Sequence, residues 1–91
     1  MVFTKQLRDR IRRGEITRTV RIWQRSHVKV GGHYRMGDGW VVVTSIVPIT
    51  LADVTGSLAR QCGFKGVVDL LKIAQHGPGR NVFLIDFRYE E

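Results

Sequence analysis

A chain of 91 residues with a single cysteine, 43% apolar residues and a formal charge of +7 reads as one small domain, 1–91, held by a hydrophobic core and by no intrachain disulfide. At this size roughly 60–65% of the unfolded surface is buried on folding, enough for an independent if marginal fold. No apolar run exceeds four residues, as in 40–43, the length of a strand rather than the ~20 residues of a membrane span, and no apolar stretch follows the first basic residues as a secretory signal requires; the expectation is a cytoplasmic protein of a reducing compartment with no membrane partner.

In chain order, Phe3, Leu7 and Ile11 recur every fourth residue, with Thr4 placed to cap and Gly14 to stop. That spacing predicts an amphipathic helix over 4–13 whose outer face carries Lys5, Arg8, Arg12 and Arg13. Residues 17–23 alternate with period two. Val20 and Ile22 turn inward, and Thr17, Thr19, Arg21 and Trp23 form a polar, aromatic-tipped row on the other face of a half-buried strand. Residues 30–33 signal a turn, 33–36 a short strand, and Gly37-Asp38-Gly39 a tight hairpin into the strongest strand of the chain, 40–46.

Beyond Pro48 the period becomes helical. Asp53 or Thr55 can cap a helix carrying Leu58 and Ala59 that Gly63 ends, and a second helix carries Val67, Leu70, Leu71 and Ala74 and stops at the His76-Gly77-Pro78-Gly79 run. Residues 81–89 alternate again, with Val82, Leu84 and Asp86 on one side and Phe83, Ile85 and Phe87 on the other. The class is α+β: a small curved, barrel-like sheet with an N-terminal helix and two short helices before the last strand.

These residues carry a resemblance. The helix followed by Gly14-Glu15-Ile16-Thr17-Arg18-Thr19-Val20-Arg21, and then Val28 to Gly32, resembles the opening of the ASCH domain of the PUA-like superfamily. That family's helix ends in the pattern GxKxxExR, with Thr in place of Glu in some members. The order of elements agrees with the family from Phe3 to Tyr89, and the layout is similar to that of small bacterial acetylcytidine amidohydrolases. The resemblance implies a PUA-like barrel that holds RNA or a modified base in a groove beside its helices. It places Thr19 and Arg21 at the Thr and Arg of the enzymes' catalytic set. The Lys position falls on Ile16 and the Glu position on Cys62 or a neighbour, with no acidic residue between Thr55 and Val68. An amide hydrolase needs one group to take a proton and another to protonate the leaving amine, so Thr19 as a nucleophile lacks an activator and the enzymatic reading leans to no.

The charge has a position as well as a size. Residues 1–30 hold nine basic and two acidic side chains, hence the whole +7, whereas 31–91 hold six of each sign. Seven of the nine are Arg, whose planar fork suits phosphate. The binding set expected for RNA or a nucleotide is therefore Thr17, Arg18, Thr19, Arg21, Trp23, Arg25 and Lys29, with Arg12 from the helix and Arg80 from the last loop. The hydroxyls would bond a base edge, Arg21 would fork to phosphate or a carbonyl, and Trp23 would stack a base.

Plainer readings stand beside these. The basic run is also what a solvated charge face looks like in a protein-interaction domain, and Trp23 can be the lid of the core. His27 with Lys29 can clamp a phosphate, whereas His76 suits a helix C-terminus. The loop through Gly77, Pro78 and Gly79 can approach a phosphate with its backbone or merely connect a helix to a strand. Cys62 reads as a small buried apolar side chain. Three separated His and scattered carboxylates give no metal-ligand spacing, and no cofactor is expected. The leading function is an RNA- or nucleotide-binding module; the alternative is a hydrolase of the same family, a ribonuclease or an acetylcytidine amidohydrolase.

Overall fold

A computed structural model describes residues 1–75 and 77–91. Its elements run α1 (Lys5–Arg12), β1 (Arg18–Trp23), β2 (His33–Met36), β3 (Gly39–Ile49), a 3-10 turn (Leu51–Asp53), α2 (Gly56–Gln61), α3 (Val67–Ala74) and β4 (Asn81–Glu90). The four strands form one antiparallel sheet in the order β1-β4-β3-β2, which curls into a half-barrel. The sheet therefore stops short of the barrel expected from the sequence. β1 and β2 are its two edges, and β4 is central because both faces of its alternation are apolar.

Helix α1 forms where its Phe3, Leu7 and Ile11 stripe can be buried, and Phe3 meets Phe87 of β4 with ring centroids 5.4 Å apart. The helix stops at Gly14, which takes a left-handed φ of 75° that a side chain would resist. On this face of the sheet Ile16, Met36, Val41 and Phe87 complete one core cluster. Trp23, Val28, Val43 and Ile85 make a neighbouring one. On the other face α2 and α3 bring Leu58, Ala59, Cys62, Leu70 and Ala74 against Val20, Ile22 and Val82. The Thr55 hydroxyl caps α2, accepting from the Leu58 amide at 3.1 Å.

Strand β3 runs three residues further than the periodicity predicts, for two local reasons. A bulge between Val43 and Ser45 inserts an extra residue opposite β4, so that Val43 and Ile46 contribute to the same cluster; bulges bend and twist a strand in this way. Pro48 lies beyond the last residue that β2 pairs, Val42. It stands on a locally free edge where its missing N–H costs no ladder bond.

The larger difference concerns β1. The row Thr19, Arg21 and Trp23, expected to be the open face of a half-buried strand, is 5%, 4% and 3% exposed. Both faces of β1 are covered, one by α1 and residues 1–3 and the other by α2 and α3. Its outer edge is covered too, since Gln75, just past α3, makes an isolated parallel bridge to Ile22. Periodicity two identifies a strand, but it cannot say whether the polar side of the strand is also roofed.

Candidate ligand cleft

Between the start of α1 and the flank of α3 lies a cavity of about 260 Å³ with β1 as its floor. Phe3, Leu7, Phe64 and Ile73 give it apolar walls, Thr19 and Arg21 come from the floor, and Lys72 stands in its lining. Around Phe64 and Lys72 it continues into a second, more open hollow of about 370 Å³ that adds Gln6, Lys65 and Asp69. Binding sites commonly combine such apolar walls with a few placed polar groups.

Arg21 is the unusual residue. Its Nη2 donates to the Val2 carbonyl at 2.6 Å, and its guanidinium carbon sits 5.0 Å from the centre of the Phe3 ring, close enough for cation–π attraction. Burial pulls its pKa down to about 10, which still leaves the group protonated at neutral pH. The same side chain lines a smaller cavity of about 140 Å³ with Trp23 and His27, so it extends beneath residues 1–3 from one cavity to the other. Among the described residues the Thr19 side chain makes no hydrogen bond. Among the described residues no fully enclosed side-chain nitrogen or oxygen lacks a partner, so the Thr19 hydroxyl must touch the cleft, where it can donate and accept.

The rest of the expected set is scattered. Trp23 is a core residue, packed with Val28, Val43 and Ile85 and stacked by His27 at 4.5 Å. The aromatic surface expected to hold a base is thus already covered by a neighbour. Arg18 is tied to Asp86 of β4 at 3.0 Å and to Gln61 of α2 at 3.0 Å, a contact that joins three elements. Thr17 is exposed, and its carbonyl accepts from the Phe87 amide at 2.9 Å. Arg12 pairs with Asp9 at 2.9 Å. Arg25, Lys29 and Arg80 are exposed, and among the described residues their side chains make no hydrogen bond or ion pair. Of the nine residues, then, β1 brings two into the cleft, Thr19 and Arg21.

The positions singled out by the catalytic pattern are apolar here. Ile16 packs with Leu7, Ile11 and Phe87. Cys62 is buried beside Val20, and its thiol is pushed up to about 11, chiefly by desolvation. The loop through Gly77, Pro78 and Gly79 has a structural explanation. A side chain on Gly79 would collide with the backbone of Trp23 and Gln24, and the Gln75 amide donates to the Gly77 and Gly79 carbonyls at 2.7 and 2.8 Å. His76, expected at the helix end, lies outside the described residues. Among the described residues no group of three His, Cys, Asp or Glu is placed to hold a metal ion, and no helix is long and apolar enough to cross a membrane.

Sequence reasoning missed Phe64 and Lys72 as lining residues. The one available signal was Lys72 itself, a lone cation in an otherwise apolar stretch of α3. Comparison with models of known families, with curated proteins and with solved structures finds no match to this chain.

Proposed function

We propose that this chain is an RNA- or nucleotide-binding module of the ASCH type within the PUA-like superfamily, seating a base in the cleft between α1 and α3. The observation that carries the reading is the pair on the cleft floor, Thr19 and Arg21. A hydroxyl beside a guanidinium offers the donors and acceptor that a base edge or a phosphoryl oxygen needs, and the apolar walls suit a planar ring. The basic N-terminal third adds sequence-independent attraction for a polyanion. The hydrolytic alternative has less in its favour, because Ile16 and Cys62 lie in the core clusters and neither offers a ready general base to a bound substrate.

The test is a titration with a labelled single-stranded RNA at several salt concentrations, followed by NMR of the bound protein. If about four phosphates are contacted, log K should fall with log salt at a slope of roughly −3. The resonances of Thr19, Phe64 and Ile73 should move together. Absence of binding at low salt, or shifts that leave the cleft untouched, would overturn the reading.

A further inference from the structure

A second basic site stands apart from the cleft floor, at the turn between β2 and β3. Arg8 of α1 and Arg35 of β2 line one cavity of about 190 Å³ together with Phe3, Met36 and Gly37. Each guanidinium is anchored through one nitrogen to a backbone carbonyl: Arg8 Nε donates to Phe3 at 3.1 Å, and Arg35 Nε to Gly37 at 3.0 Å. Arg35 is further held with its guanidinium carbon 5.0 Å over the ring of Trp40. Arg12 closes on the same turn, since a side chain at Gly37 would strike its Nη2.

We propose that Arg8 and Arg35 form a phosphate-binding subsite, which takes a backbone phosphate of the RNA or nucleotide whose base occupies the cleft; that last assignment rests on the function proposed above. Charge and geometry both support it. Arg12 is neutralised by Asp9, but among the described residues neither Arg8 nor Arg35 has a carboxylate partner, and Asp38 at the tip of the turn pairs with neither. An arginine carries five N–H donors, and the anchoring bond uses one in each case, so the remaining donors of two oriented forks are left for an oxyanion. Anchoring matters because a side chain already fixed loses less freedom when it binds. A solvated surface arginine such as Arg60, which has no such anchor among the described residues, makes only the interchangeable electrostatic contact. The subsite adjoins the cleft, since Val2 and Phe3 line both cavities.

Arginine side-chain NMR on the intact protein tests the subsite, with inorganic pyrophosphate and a six-nucleotide single-stranded RNA as separate probes. Pyrophosphate should shift the Nε–H signals of Arg8 and Arg35 well before those of Arg60 and Arg13. The double variant Arg8→Gln with Arg35→Gln should lose that response. It should also bind the RNA about tenfold more weakly for each arginine removed, with a salt slope shallower by roughly 1.4. Uniform shifts across all exposed arginines would overturn the subsite. A localised pyrophosphate response without RNA binding would keep the anion site and defeat the RNA assignment. RNA binding with an unchanged slope in the double variant would overturn the assignment of an RNA phosphate to this subsite while leaving the cleft reading standing.

Discussion

The two edges of the sheet are built in opposite ways. β1 is covered on both faces and along its free edge, and it carries a charged side chain, Arg21, inside that cover. β2 is four residues long and leaves His33 and Arg35 outside, burying Met36. Both edges present an arginine close to an aromatic ring, Arg21 at Phe3 and Arg35 at Trp40. The environments make them different reagents. A buried guanidinium acts through position, because its few neighbours and low dielectric make each contact strong and orientation-dependent. An exposed one, even when anchored as Arg35 is, meets its partner in competition with water and ions, screened over about 8 Å at physiological ionic strength. A basic residue in a sequence therefore says little about recognition until its burial is known.

The largest effect expected from this contrast concerns the two tryptophans. Trp23 closes the end of the covered edge at 3% exposure, whereas Trp40, opposite Arg35, is 38% exposed. Trp23→Ala should cost about 3–5 kcal/mol of stability, and Trp40→Ala much less, about 1 kcal/mol. Denaturant unfolding of the two variants measures the difference. Equal losses would mean that the β1 side is not sealed as described.

A smaller, pH-dependent effect should come from Cys62, packed behind β1. Burial raises its pKa from 9.0 to about 11. Between those values the unfolded chain has released the proton while the folded chain keeps it, so the folded state becomes less favourable as pH rises. Stability contributed by the neutral thiol is complete below pH 9 and is lost as pH climbs through 11, an effect of roughly 2–3 kcal/mol. Unfolding free energies of the wild type and of Cys62→Ala, compared from pH 8 to 11, should converge or cross over that window. A constant difference would show the thiol to be in contact with water.

The finest distinction lies between the two arginines themselves. Arg21→Met takes the Nη2 donor away from the Val2 carbonyl and the cation from the Phe3 ring, which should cost about 1–3 kcal/mol of stability, and it should abolish specific shifts at Thr19 when ligand is added. Arg35→Met should leave stability within about 0.5 kcal/mol and lower RNA affinity mainly through the salt-dependent part. Affinity losses with the same salt dependence in both variants would erase the distinction between a buried positioning arginine and an exposed, salt-screened one.

The order and kind of the elements are legible in the chain alone, because periodicity, caps and glycines act within a few residues of one another. The Phe3, Leu7 and Ile11 stripe, the Gly37 hairpin and the Thr55 cap are all local, and each stands where the pattern puts it. The excess of basic charge in residues 1–30 is equally a property of the chain alone. Which of those charges meet is settled by contacts between distant segments. Periodicity puts Arg18 and Arg21 on opposite faces of a strand, but only the fold brings Asp86 of β4 to the one and Phe3, from the segment before α1, over the other. Trp23 and Trp40 likewise differ by what packs on them, not by their neighbours in sequence. Arg8 and Arg35, one on a helix and one on a strand, come to line one cavity only through the fold. Burial and proximity arise from contacts between distant segments, which no local pattern encodes, and it is these that separate a residue of the core from a residue of the site.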